Sequence, residues 1–224
     1  MNNQQKFRVF VFSKTAGFRH DSIPAGIEGL KRLGASTNRF TVDASEDSSL
    51  INAAFLSQFK VVVFLSTSGE FLSKDETAGL RTYINRGGGF VGIHCASAGM
   101  HSEPWYGELV GAYFTGHPEP QHSVVRVENN RHVIVSGYPH EFKWFDEWYN
   151  FSRNPREKVT VLLSTDESLY NGGTMGRDHP LAWCREFDGG RSFYTSLGHF
   201  DEAYQDEGFM KHVLNGILWA ARLA

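Results

Sequence analysis

Three runs in this chain are apolar almost throughout: Phe7 to Ser13 (FRVFVFS), Val61 to Ser66 (VVVFLS) and Phe90 to His94 (FVGIH). A strand that hides one face alternates apolar with polar residues, whereas a run without alternation has to be covered on both faces. Such strands belong to parallel sheets, in which each strand reaches its neighbour through a crossover, usually a helix. The intervening segments supply the crossovers. Asp21 or Ser22 can cap a helix with Pro24 in its first turn, Ile23, Ile27 and Leu30 on one face, and Gly34 as its stop. Phe40 to Ala44 reads as a second strand, and a short helix follows over roughly Ser49 to Phe59. Ser73-Lys74-Asp75-Glu76 is a capping box for a helix to about Arg86, which the run Gly87-Gly88-Gly89 ends. This β-α-β-α-β-α-β rhythm through residue 97 predicts an α/β fold: three layers, a mainly parallel sheet with helices on both faces.

The second half is less regular. Pro104 to Val110 is a short helix candidate, and Val124 to Glu128 and Val159 to Ser164 read as strands. Residues 129–150 read as irregular and aromatic-rich. Pro180 to Phe187 and Arg191 to Leu197 flank Asp188-Gly189-Gly190, a hairpin signal. Glu207 to Ala221 carries apolar residues at helical spacing. No repeat or linker divides the chain, so one domain over residues 1–224 is expected.

The net charge is −3, which argues against a general nucleic-acid binder. No apolar run is long enough to span a bilayer, and Met1 to Lys6 lacks the apolar core of a signal peptide. Two cysteines without a CxxC give no disulfide framework, and a cytoplasmic location fits. No GxGxxG follows the first strand and no GxxxxGK[ST] occurs, so no nucleotide cofactor is expected.

Ten histidines stand out by placement. In a wound sheet, ligands bind beyond the carboxyl ends of the strands. His20 follows the first strand, His94 ends the fourth and His199 follows the last, so all three are expected on one rim. His117, Glu147, Tyr149 and His179 lie in loops that can reach it. His101, His122, His132, His140 and His212 read as solvated or structural. Neutral imidazoles with a carboxylate suit a divalent ion such as Zn or Mn, and His20, His94 and His117 are the expected ligands. The same groups can instead act directly as acid and base. In Gly92-Ile93-His94-Cys95-Ala96 the exposed position of a strand-to-helix elbow falls on His94. Cys95 is then expected to face away, packed and unreactive, and Cys184 to be core.

The stretches VFSKTAGFRHDSIPAGIEGLK, VVVFLSTSGE, GGGFVGIHCAS, WYGELVGAYFTGHP, DEWYNF and GGTMGRDHPLAWCREFDGGRSFYTSLGH, with the closing helix, cover nearly the whole chain in order. They resemble the ThuA-like (trehalose-utilisation) family, whose fold is class I glutamine-amidotransferase-like, a flavodoxin-like wound sheet. The amidotransferase elbow reads Gly-x-Cys-x-Gly. Here histidine stands at the nucleophile position, and His199 matches the triad histidine.

The resemblance implies sugar catabolism, often beside oxidoreductases that make 3-keto glycosides. The expected activity is that of a lyase, hydrolase or isomerase on a keto-sugar or 3-keto-glycoside. A ketone at C3 acidifies the C2 proton, and loss of that proton allows elimination at C1 or isomerisation. His94 and Glu147 are expected beside the reacting carbon, His20, His117 and His199 as electrophiles or metal ligands, and Tyr149 or His179 as proton donor. Lys14, Arg19, His20, Trp105 and Trp148 are the expected substrate contacts. The alternatives are a non-catalytic carbohydrate-binding or regulatory protein, and a hydrolase using Cys95. The expected partner is a small sugar or glycoside, with no nucleic acid and no membrane. The aromatic block around Trp144 and Trp148 is also a candidate homodimer contact.

Overall fold

The structure, a computed structural model, describes residues 6–224. The polar stretch read as lacking a signal-peptide core thus lies, through Gln5, outside the described residues. Nine strands form the main sheet: β1 (Phe7–Phe12), β2 (Phe40–Ser45), β3 (Val61–Leu65), β4 (Gly89–Ile93), β5 (Gln121–Val127), β6 (Glu141–Asp146), β7 (Thr160–Thr165), β8 (His179–Phe187) and β9 (Gly190–Thr195). Their order is β2-β1-β3-β4-β9-β8-β7-β5-β6. The helices are α1 (Ile23–Thr37), α2 (Ala53–Leu56), α3 (Lys74–Asn85), α4 (Pro104–Val110) and α5 (Glu207–Ala220).

The apolar runs do what their pattern requires. Val9, Val11, Val63, Leu65, Val91 and Ile93 face one side, where Leu30 of α1 and Val213 and Ile217 of α5 cover them. Phe10, Phe12, Val62, Phe64 and Phe90 face the other, under Leu56 of α2, Leu80 and Ile84 of α3 and Leu109 of α4. Each such fully buried side chain contributes ~1.5–3 kcal/mol relative to exposure.

The sheet is parallel only across β2-β1-β3-β4-β9. From β9 outward every pairing, β9-β8-β7-β5-β6, is antiparallel. The expectation of a mainly parallel sheet therefore describes one half. The cause is local: the chain from β5 to β9 has no crossover helix, and the β8–β9 turn holds Asp188 and Gly189 at φ 51° and 93°. Paired positive φ values make a tight hairpin, which can only join antiparallel neighbours.

Three local readings change. The α1 helix runs through Gly34 and ends at Asn38 in the left-handed region (φ 56°). Gly34 is there for packing, because a Cβ on it would stand 2.6 Å from the carbonyl oxygen of Phe40. The expected helix over 49–59 splits into a 3₁₀ turn at Ser48–Leu50 and the four-residue α2, because extended Asn52 caps Phe55 and breaks the run. Residues 141–146, read as irregular, form β6 at the sheet edge, where a single neighbour leaves alternate side chains exposed. The capping box forms as expected: Ser73 Oγ accepts from the Glu76 N–H and Glu76 Oε2 from the Ser73 N–H. Among the described residues no helix is long and apolar enough to cross a membrane.

The crossovers after β1 and after β2 lie on opposite faces of the sheet. The winding therefore reverses between β1 and β3, and the chain opens a crevice at the carboxyl ends of these strands.

Candidate active site

The β4 strand delivers the chain into this crevice at His94. The residue sits at φ 52°, a left-handed conformation that a side chain other than glycine adopts rarely, and a 3₁₀ turn (His94–Ser97) follows at once. Holding it there costs roughly 1–3 kcal/mol. The surroundings supply the constraint. Tyr194 Oη donates to the His94 carbonyl at 2.8 Å, and Ser97 Oγ donates to Tyr194 Oη at 2.7 Å. The His94 ring is fully buried, with Nδ1 2.7 Å from the Ser196 carbonyl oxygen. A carbonyl only accepts, so Nδ1 carries the proton and Nε2 presents a lone pair.

Four groups gather at that lone pair. His20 Nε2 lies 3.1 Å away, His199 Nδ1 3.2 Å, Tyr149 Oη 2.8 Å and Glu147 Oε2 3.5 Å. Glu147 Oε2 is also 3.0 Å from His199 Nδ1. They arrive from three segments: His20 from the β1–α1 loop, His199 from the turn after β9, Glu147 and Tyr149 from the extended chain after β6. Two residues apart on extended backbone, Glu147 and Tyr149 share a face, while Asp146 and Trp148 point the other way.

Asp146 is the residue that sequence reasoning missed. It is 1% exposed, and its carboxylate accepts four N–H bonds. Oδ1 takes the backbone N–H groups of Glu147 (2.9 Å) and His199 (3.2 Å). Oδ2 takes the N–H of Gly198 (2.9 Å) and the indole N–H of Trp144 (2.7 Å). One buried carboxylate thus ties the segments carrying Glu147 and His199 to each other. Burial pushes its pKa up, against the opposing pull of His94 and these donors.

Burial, then the neighbouring His94 and His199, lowers His20 from 6.5 to about 3, so its imidazole is neutral at physiological pH. Burial pushes the Glu147 carboxyl up, but the contacts with His199 and His94 outweigh it and hold the group well below the usual carboxylate range. Burial drives the Tyr149 phenol well above 10.

The cluster opens on a cavity of about 720 Å³, with Phe18, His101, Phe114 and His117 among its walls. Phe18 is 70% exposed, edge-on to His20 with ring centres 4.8 Å apart. His117 Nδ1 faces the Pro118 carbonyl oxygen at 2.9 Å, so Nε2 carries the lone pair, and it lies 3.4 Å from Glu147 Oε1.

The structure therefore brings together His20, His94, Glu147, Tyr149 and His199. His117 stands one contact outside, on the far carboxylate oxygen, so the atoms in ligand reach of one another are those of His20, His94, Glu147 and His199 rather than a His20–His94–His117 set. His179, expected as a proton donor, is fully buried behind Tyr149. Its Nε2 donates to the Tyr149 carbonyl at 2.8 Å, and Nδ1 faces Tyr170 Oη at 2.8 Å and Glu167 Oε1 at 3.1 Å. Trp148 is core, with its indole N–H on the Gln121 carbonyl (2.9 Å), because alternation turns it away from the cavity. Trp105 bonds Asp188 Oδ2 at 2.8 Å, beside the β8–β9 turn at the opposite end of the sheet. Lys14 reaches Ser48 Oγ (2.7 Å) and Arg19 reaches Glu46 (2.7 Å), bracing the β1 loop against the β2 exit. Cys95 does not face away. It lines the cavity while 4% exposed, and burial raises its thiol to about 12.

The ThuA family, described as trehalose utilisation, matches residues 8–220. Among solved structures, a ThuA-like protein from Bacteroides uniformis is 25% identical with TM-score 0.79, covering 96% of this chain and 91% of that one. A ThuA-like protein from Parabacteroides merdae is 21% identical with TM-score 0.80, covering 97% and 90%. A β-galactosidase from Bacillus circulans is 11% identical with TM-score 0.61, covering 94% of this chain and 30% of that one, a likeness of fold. No curated protein matches the chain.

Proposed function

The chain belongs to the ThuA family, and from that premise we propose that it is a carbohydrate-active enzyme of sugar catabolism that acts on a 3-keto-glycoside or related keto-sugar. The observation that carries the reading is the convergence of His20, His94, His199, Glu147 and Tyr149 at the floor of an open cavity with aromatic walls. Sugar rings present apolar C–H faces, which Phe18 and Phe114 suit, and proton transfer at carbon needs a base, an electrophile and an acid.

His117 is the base in this reading. Its ring lines the cavity, and Glu147 Oε1 stands 3.4 Å from Nε2, placed to pair with the imidazolium once it forms. The C2–H bond breaks, the proton passes to His117 Nε2, and the electron pair moves into the C2–C3 bond as the C3 ketone becomes an enolate. The developing oxygen charge needs a positive partner, and a cation held by His20, His94 and His199 would supply it. Collapse of the enolate re-forms the ketone, makes a C1–C2 double bond and breaks the C1–O bond. The leaving oxygen takes a proton from Tyr149 Oη. If the enolate is reprotonated at C2 instead, the outcome is isomerisation.

We further read the parallel half as a flavodoxin-like wound sheet, and expect a cytoplasmic enzyme using no nucleotide. The test is incubation of purified full-length protein with a chromogenic 3-keto-glucoside. The expected result is aglycone release together with an enone absorbance, both lost in His94→Ala. Tight binding of the keto-glycoside with neither release nor isomerisation would make the protein a carbohydrate-binding module and end the enzymatic reading.

A further inference from the structure

We propose that His20 Nε2, His94 Nε2, His199 Nδ1 and Glu147 Oε2 form a binding site for one divalent first-row metal ion, Zn²⁺ or Mn²⁺, at the floor of the cavity. The inference stands on side-chain geometry and does not rest on the keto-sugar reading.

The four ligand atoms lie within 4.8 Å of one another. A tetrahedral ion with bonds of ~2.0–2.1 Å to nitrogen spaces its ligands by roughly 3.3–3.4 Å. The measured separations are 3.1 Å (His20–His94), 3.2 Å (His94–His199), 3.0 Å (His199–Glu147) and 3.5 Å (His94–Glu147). They bracket that spacing.

Proton accounting points the same way. His94 Nε2 has one lone pair, because Nδ1–H is committed to Ser196. Yet His20 Nε2, His199 Nδ1 and Tyr149 Oη all stand within 3.2 Å of it. One lone pair accepts one good hydrogen bond, so protons alone leave nitrogen facing nitrogen in a buried site. A single cation answers the contacts together by taking the lone pairs of all three imidazoles.

The surrounding contacts are those that orient ligands. An imidazole N–H on a backbone carbonyl sets the tautomer of a metal-bound histidine, and His94 has that contact. Asp146 holds the backbone of both His199 and Glu147. Three imidazoles with one carboxylate favour a borderline transition ion over Mg²⁺ or Ca²⁺, which take all-oxygen shells. With its lone pair on the ion, His94 also no longer holds the Tyr149 O–H, which is then free to donate into the cavity.

The experiment uses untagged full-length protein purified without chelator. Elemental analysis is expected to find about one transition ion per chain, and replacement by Co²⁺ to give the visible bands of a nitrogen-rich site. His94→Ala and His199→Gln are expected to weaken binding by more than ~100-fold, beyond the 10–100-fold typical of outer contacts, while His140→Gln on the exposed surface changes nothing. Should His94→Ala not fold, His199→Gln carries the test, because its side chain is partly exposed. The proposal is overturned if folded apo-protein dialysed against micromolar Zn²⁺, Mn²⁺ and Co²⁺ takes up no stoichiometric ion. It is equally overturned if the folded variants retain the metal undiminished. A bound ion without keto-sugar turnover refutes the enzymatic reading alone, and turnover unaffected by complete metal removal refutes a catalytic role for the ion alone.

Discussion

Asp146→Asn separates a positioning carboxylate from an ordinary buried acid. The wild-type carboxylate accepts four N–H groups, from Glu147, His199, Gly198 and Trp144, at 2.7–3.2 Å. Asparagine keeps the shape but only one acceptor oxygen. The other position becomes an NH₂ group facing N–H donors. At least two buried donors lose their acceptor, at ~1–3 kcal/mol each, less what is regained by burying a neutral group. A net loss of ~2–4 kcal/mol is expected, which in a domain of this size lowers the melting temperature by roughly 4–16 °C. A merely structural acid would stop there. Because these bonds set the backbone of His199 and Glu147, metal affinity should also fall, by ~10–100-fold. Trp144→Phe, which removes only the indole donor, should leave affinity within about 3-fold. The assays are scanning calorimetry and competition with a zinc chelator. A folded Asp146→Asn protein with an unshifted melting temperature and wild-type affinity would falsify the idea that this carboxylate organises the site.

His212 is 1% exposed, and burial lowers its pKa from 6.5 to about 3. The unfolded chain therefore binds this proton first, and stability should fall by ~1.4 kcal/mol per pH unit as pH drops from 6.5 toward 3. Urea titrations of His212→Leu should show a shallower slope there, and an unchanged slope refutes the assignment. Cys95→Ala should keep turnover within about 2-fold, and iodoacetamide should spare Cys95 at neutral pH, because burial holds the thiol at about 12. Rapid, inactivating alkylation of Cys95 would revive thiol chemistry. Phe18→Ala should raise KM by about 3–10-fold at constant kcat, the scale of one aromatic contact; an unchanged KM removes Phe18 from the sugar site.

What was legible in the chain follows from which constraints are local. The strand ends at His20, His94 and His199 are set by continuous apolar runs, and parallel pairing aligns those ends, so the shared rim follows from pattern alone. The block Phe142 to Tyr149 is different. Both of its faces carry aromatic rings, so alternation is visible, but which face meets the cavity is not. Trp148 and Tyr149 are both expected at the site, and that one step leaves only Tyr149 there. Edge strand β6 escaped notice because Glu141 and Lys143 face solvent where a central strand would be apolar. Asp146 had no signal, since three of its four donors belong to backbone N–H groups and two of those lie in the distant turn Gly198-His199. Likewise the chain lets both His117 and His199 reach the rim. Only the fold places one as a neighbour of His94 and the other behind the carboxylate.

The turn at His94 links the fold to the chemistry. A strand-to-helix elbow in the left-handed region lifts one side chain out of the sheet, and it persists here at φ 52° only because Tyr194, Ser97 and Ser196 hold its backbone and ring. A thiol displayed at such a turn would need a depressed pKa to be useful. The thiol that is present, one residue later, is buried and shifted the other way. What the turn displays instead is a single imidazole lone pair, fixed in tautomer, toward which His20, His199, Glu147 and Tyr149 all converge. Strain of that kind yields nothing for an isolated base, since one solvated histidine can take a proton without it. It is useful when several lone pairs must be aimed at a common point, and the approach of four groups from three separate segments supplies that requirement.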